Sequence, residues 1–552
     1  MSSGPAFSSP ATIFTGRNPI GSGWYSASGD DGVYILDDAW LAVFGANATV
    51  TFGSGTDIVS FNGPSTGNYI ETVIGSGGSV IAVHADVTLT GDNDIVYFDP
   101  SDDVLNLTAA TAGAWSTLYA HSGVVNLAGA SLSILGGGVT VNGVSGANAV
   151  SLYQTNGVAD AITGDDMTVA LVNSEAVVHG DRNAIWLVGG SGSTVTVDSA
   201  VGAFDTVYGA GIIEVASGAV ASVGGGALIN FLSPGGFAAV SYTQGIWDRI
   251  EGAAGTTSAY AAQLAVFGAN QIVRFTGGDD DAASLYQTNG NWDSVYGSAS
   301  TILVNSAQVN IFGAVDNIYL AGTGSEVSLY NGYYASFLSN NIFGSNATID
   351  VNGLYGVHVN GGNDTIYTDP GQYNNISLLA TAGAWDTIYA QNQILEFDSA
   401  QVSVVGGGNS IFLSGSSDAI SLYGTDGGST QIYNGNAAVT LTNAAATLSG
   451  DKNYVYFGVG TNSLDLGISN VFAISSDDLL TFKGSFGVDT VTGFNSTDTI
   501  ALSAAQFADF SAFQRAFQQQ GNDAVLTLDA NDKVTFVGLQ TSSVTAAQVK
   551  FV

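Results

Sequence analysis

Acidic residues gather in turns rich in glycine and asparagine: Asp92 and Asp94, Asp99 beside Asp102 and Asp103, Asp165 and Asp166, Asp279 to Asp281, and Asp364 with Asp369. Calcium takes about six to eight hard oxygen ligands on a backbone able to fold its carbonyls inward. Asp92, Asp94, Asp99, Asp279, Asp280, Asp281, Asp364 and Asp369 are therefore candidate Ca2+ ligands, and solvated acidic turns are the competing reading. A second pattern is Gly, any residue, aromatic, Asp, with its aromatic at Phe204, Trp247, Trp292 and Trp385 and a variant at Gly113-Ala-Trp-Ser116. An exposed aromatic ladder beside carboxylates would bind polysaccharide, whereas aromatics stacked at one corner of a repeat would stabilise by packing alone. No HExxH or Walker pattern is present, and no catalytic constellation rises above background. His84, His121, His179 and His358 share no common phase, so they read as surface or filler residues.

The elements that carry these residues repeat. Glycines recur at 45, 91, 136, 180, 224, 268, 313, 361, 406 and 450, at intervals of 44 to 48 residues. Self-similarity at such a period means an array in which no module buries its apolar surface alone. Within a module, short alternating apolar runs such as Ile272 to Phe275, Ser294 to Tyr296 and Val309 to Ile311 are separated by Gly, Asn, Asp or Ser. That is strand and turn chemistry. The expected fold is all-β, a parallel β-helix or β-solenoid of ten modules of about 45 residues, each module two coils of roughly two dozen residues. Five apolar peaks per module fit a three-sided coil poorly. An Asn follows most anchor glycines, at 47, 93, 183, 270, 317, 363, 409 and 453. It reads as a corner ladder passing amide bonds from coil to coil. Ser-Leu-Tyr strands, Ser151 to Tyr153, Ser284 to Tyr286, Ser328 to Tyr330 and Ser421 to Tyr423, read as alternating core and surface positions.

Composition sets the partners. The net charge is −37, with nine Lys and Arg in total and none between Arg17 and Arg182. Nucleic acids and anionic membranes require clustered cations, so neither is an expected partner. Self-repulsion at this charge makes calcium a natural counterion. The chain has no cysteine, which excludes disulfides and zinc–thiolate sites. The opening MSSGPAFSSPATIF carries no basic and apolar signal pattern, and no apolar run reaches the length of a membrane-spanning helix. An export signal would have to lie elsewhere.

Gly361-Gly362-Asn363-Asp364-Thr365-Ile366-Tyr367 resembles a degenerate nonapeptide turn of the repeats-in-toxin (RTX) family, although here such turns come once per module instead of in tandem. From about Ser475 the module gives way to Phe486-Gly-Val-Asp-Thr-Val-Thr-Gly-Phe494, then Asp498-Thr-Ile-Ala-Leu-Ser503, then Phe507, Phe510, Phe513 and Phe517 at helical spacing with Ser503 as candidate N-cap. The runs Ala524 to Leu528, Lys533 to Val537 and Val549 to Val552 close the chain. This order resembles the C-terminal secretion region of RTX-type proteins, and the resemblance implies recognition by type I secretion machinery and a secreted, extracellular or cell-surface location. The expected organisation is a cap over residues 1–30, the solenoid over 31–474 and a β-plus-helix cap with the secretion-like region over 475–552. The functional expectation is a structural or adhesive protein of the cell surface or biofilm matrix, self-associating into fibres or layers and engaging polysaccharide. A polysaccharide lyase or epimerase is the alternative, with Arg182, Arg249 and Arg274 as its mid-array cations.

Overall fold

In the computed structural model, described residues run from 12 to 552 apart from short stretches, the longest being 17–22, 63–69, 331–338 and 467–477. Among the described residues the strand pairings of the solenoid are parallel, and successive strands alternate between two sheets. Thus Val33–Asp37 pairs with Thr49–Phe52 in one sheet, while the intervening Trp40–Phe44 pairs with Ile58–Asn62 in the other. Contacts divide the chain into two units, Met1–Asp279 and Asp280–Val552, each built on this plan. The fold is the expected parallel β-solenoid, 60% strand with 3% helix.

The coil itself departs from expectation. It has two strands, not three sides, and its length varies: Val33 faces Thr49, 16 residues on, while Thr49 faces Thr72, 23 residues on. A module therefore holds five strands, or two and a half coils. Anchor Gly91 follows the strand Asp86–Thr90, and Gly136 follows Ser131–Leu135, five strands later and in the other sheet. The five apolar peaks are these five strands.

Alternation along each strand places Val, Leu and Ile inward, where Leu36, Val50, Val73, Val87 and Leu105 are fully buried between the sheets. The anchor glycines are fixed by how closely the coils approach. A Cβ at Gly91 would strike the carbonyl oxygen of Gly75, and one at Gly361 would strike that of Gly344.

The solenoid begins ahead of residue 31: Thr12–Thr15 and Trp24–Ser28 already pair in parallel with the next coil. At the other end the last coil is closed by Lys533–Val537 on one sheet and Val549–Phe551 on the other. Before that coil comes the helix Phe510–Ala516 and an antiparallel hairpin, Phe517–Gln520 with Asp523–Thr527. The helix is shorter than the phenylalanine spacing suggests. Asp509 caps it by accepting from the Ala512 N–H at 2.8 Å, so Ser503 is not its N-cap. Phe507 lies before the helix, and Phe517 ends it and opens the hairpin. Phe507, Phe513 and Phe517 are nevertheless buried, with Phe517 edge-on to Phe536 at 5.7 Å.

Candidate functional site

The acidic turns and the aromatic motif meet at the coil corners. Three residues after an anchor glycine comes a buried polar side chain: Asp94, Asn183, Gln271, Asp316, Asp364, Asn409 or Asn453. Each accepts a backbone N–H from the coil before it, for instance Gly78 to Asp94 at 3.0 Å, Ala347 to Asp364 at 2.9 Å and Gln393 to Asn409 at 2.9 Å. Its own N–H is then passed forward. Asn183 donates to Asp205 at 2.7 Å and Asp364 to Asp386 at 2.8 Å, so the acid of the Gly-x-aromatic-Asp motif is the next rung. The expected internal ladder exists, one residue later than several of the asparagines assigned to it. Asn47, Asn93, Asn270 and Asn363 stand two residues after the glycine with φ between 57° and 66°, the left-handed corner conformation that Asn tolerates.

The second side-chain atom separates amide rungs from acid rungs. Asn409 Nδ2 donates to the Ala390 carbonyl at 3.0 Å and Gln271 Nε2 to that of Gly252 at 3.3 Å. Asn183 is an exception, its Nδ2 having no partner. At the acid rungs the corresponding Oδ2 of Asp94, Asp160, Asp205, Asp248, Asp316, Asp364 and Asp386 is buried without a hydrogen-bond partner. Burial pushes Asp94, Asp160, Asp316 and Asp364 up to about 7 and Asp205, Asp248 and Asp386 to about 6; backbone N–H donors oppose the rise. Glu71, which accepts from Ala48, is raised to about 7 by the same burial. In its protonated form such a carboxyl has the donor an amide has, and can then replace asparagine in the corner.

This chemistry differs from a calcium cage. Asp94 and Asp364 each give one oxygen to a backbone amide and bury the other, and among the described residues no three carboxylates or imidazoles converge. The corner acids therefore do not fit a calcium ion. Asp92 and Asp281 are also buried, Asp99 and Asp369 are exposed, and Asp279 and Asp280 lie outside the described residues.

Nor are the motif aromatics brought together. Trp292 and Trp385 both open strands of one sheet, but ten strands separate them, about 24 Å at about 4.8 Å per coil. Their strand neighbours are Gln308 and Gln401, not other rings. Trp247 is exposed beside Asp248, whose strand belongs to the other sheet, and Phe204 opens Phe204–Tyr208 with Val220 as its neighbour.

A different aromatic set does stack. Six residues after the anchor glycine an outward ring meets another two strands later: Tyr97 with Tyr119 at 4.9 Å, Trp186 with Tyr208 at 4.3 Å, Tyr319 with Phe343 at 5.1 Å, Tyr367 with Tyr389 at 4.9 Å and Phe412 with Tyr433 at 4.7 Å. Sequence reading missed these pairs, although the constant offset from the glycine was available to find them. Next to the first pair is a cavity of about 340 Å³ lined by Tyr97, Tyr119, His121, Leu135, Tyr153 and Gln154 among others. Two of the mid-array cations are engaged by carboxylates. Arg182 is bidentate on Asp166 at 2.8 and 2.9 Å, and Arg249 bonds Glu251 while lying over the Phe267 ring at 4.2 Å.

Among known proteins, no family model matches this chain and no curated protein matches it. Among solved structures, the extracellular lipase LipA from Serratia marcescens aligns at 16% identity over 43% of this chain and 45% of its own, with a TM-score of 0.17. The alignment spans less than half of either chain, and a superposition this loose bears on neither fold nor activity.

Proposed function

We propose that the protein is a secreted structural or adhesive solenoid of the cell surface or extracellular matrix, exported through its C-terminal segment by type I machinery. The supporting observation is the repetition of an outward-facing, stacked aromatic pair at one module phase, five times over among the described residues, with at least one ring of each pair exposed. Many equivalent weak platforms on one chain gain avidity against a repetitive partner such as a polysaccharide or a second copy of the chain. Outward residues between the pairs include Asn126, Ser133, Thr140 and Asn142, whose side chains can hydrogen-bond with hydroxyls.

Sedimentation of the purified chain with insoluble polysaccharides, alongside light scattering of the chain alone, tests this reading. Capture by a polysaccharide or concentration-dependent assembly supports it, and a monomer that binds neither refutes it. The lyase or epimerase alternative is tested by incubation with alginate and pectin, unsaturated or epimerised uronates being its signature. The pairing of Arg182 and Arg249 with the chain's own carboxylates weakens that alternative, because a uronate would have to displace them.

A further inference from the structure

We infer that the notch between Tyr119 and Tyr153 is a binding site for a neutral hexopyranose unit of a polysaccharide. The inference deepens the adhesive reading and rests on it for its biological setting.

Strand register carries the geometry. Tyr97, Tyr119, Leu135 and Tyr153 follow one another in a single outward column of one sheet. Tyr97 and Tyr119 stack with their planes 9° apart, forming a closed platform. At the next step the column holds Leu135, a shorter side chain, and the rings resume at Tyr153. Tyr119 and Tyr153 are thus two steps apart within the sheet, about 9.6 Å at about 4.8 Å per step, with a leucine floor between them. All three tyrosines remain exposed, between 37% and 40%.

The resulting cavity of about 340 Å³ falls in the range of small-molecule clefts. A ring seated midway has an aromatic wall about 4.8 Å away on either side. That spacing, close to the 4.9 Å between the Tyr97 and Tyr119 rings, admits one ring between the walls, and a pyranose can present its axial C–H groups to both. Around the rim are hydroxyl-matching groups: the tyrosine phenols, the His121 imidazole and the Gln154 amide. Gln154 is set outward by a left-handed backbone, φ 52°. His121 Nδ1 lies near Gly136, the anchor glycine of this module, where an added Cβ would come within 3.3 Å of it.

Charge selects among sugars. The lining contains neither Lys nor Arg, and the chain has none between Arg17 and Arg182. On a protein of net charge −37, a uronate or sulfated sugar would find no cation here and be repelled. Neutral pyranosides remain.

The test uses the full chain with cellohexaose, mannohexaose and laminarihexaose, and oligogalacturonate as the charged counterpart, read by saturation-transfer NMR and calorimetry. At least one neutral hexasaccharide should bind and oligogalacturonate should not. Tyr119→Ala and Tyr153→Ala should each weaken binding about tenfold. Leu135→Tyr keeps every tyrosine but fills the notch, and should abolish binding while the circular dichroism spectrum stays unchanged. Failure of all three neutral probes, preference for oligogalacturonate, or undiminished binding in folded Leu135→Tyr would overturn the site. Retained cell-surface or matrix localisation in that variant would leave the adhesive reading standing while the notch falls.

Discussion

Replacing Asp364 by Asn should stabilise the protein at pH 8 and do little at pH 4. The side chain is buried, its Oδ1 receives the Ala347 N–H at 2.9 Å and its Oδ2 has no partner. Burial, with a smaller contribution from the neighbouring Asp386 carboxylate, lifts its pKa from an ordinary 3.8 to about 7. Between those values the folded protein holds a proton that the unfolded chain has released. Stability from this group is therefore complete below pH 3.8 and falls as pH rises toward about 7. At pH 8 ionising the folded side chain costs about 4 kcal/mol, at about 1.4 kcal/mol per pKa unit. Asparagine keeps the acceptor, supplies a donor in place of the proton, as at Asn409, and has no charge to bury. The assay is guanidinium unfolding of wild type and D364N at pH 4, 6 and 8, with and without calcium at matched ionic strength. A gain of up to about 4 kcal/mol at pH 8, shrinking toward zero at pH 4, is the expected result. A loss of stability at pH 8, above all one that removes a calcium dependence present in wild type, would refute the protonated-corner argument and restore Asp364 as a cation ligand.

Three further outcomes follow from the same architecture. Gly91→Ala places a Cβ against the Gly75 carbonyl and should cost about 1–3 kcal/mol in thermal or chemical unfolding, as overpacking does. Residues 475–552 fused to a passenger and co-expressed with a type I exporter should carry it into the medium; retention in the cell would remove the export assignment. Deleting residues 361–405, one whole module, moves Asn409 into the place of Asp364 and Gly406 into that of Gly361, so the chain should fold with an unchanged circular dichroism spectrum. Deleting only residues 361–378, a single coil's length, breaks that phase and should lower the melting temperature sharply; equal tolerance of both deletions would show that the anchor phase is immaterial.

The glycine period was legible because it records a collision: no side chain fits where Gly91, Gly313 and Gly361 pass the preceding coil's backbone. Strand chemistry was legible from the same alternation that buries Val50 and Val73. The number of strands per coil was not, since two coils of two dozen residues and two and a half shorter coils produce the same period. Nor could Asn93 be told from Asn183 by type alone. One turns the corner with φ 57° and the other is a buried rung, and the only signal is a one-residue difference in offset from the glycine. The C-terminal helix was overextended for a related reason: of the phenylalanines at helical spacing Phe507, Phe513 and Phe517 are buried, but Phe507 and Phe517 reach the core from a turn and a strand.

An odd number of strands per module explains why the aromatic motif forms no continuous ladder. Equivalent residues of successive modules fall on opposite sheets, so any one phase returns to a given face only after ten strands. In the second unit, Tyr319 with Phe343 lies on one sheet, Tyr367 with Tyr389 on the other, and Phe412 with Tyr433 on the first again. Contact between rings on one face must instead come from two different phases of the same module, two strands apart, as the pairs at offset six do. Longer runs need a coincidence of a third phase. Tyr330 supplies one beside Phe312 and Tyr296, with ring centroids 4.7 and 4.5 Å apart, and at Leu135 the coincidence fails. The same arithmetic that scatters Trp292 and Trp385 leaves Leu135 between Tyr119 and Tyr153, which is the gap the proposed sugar ring would occupy.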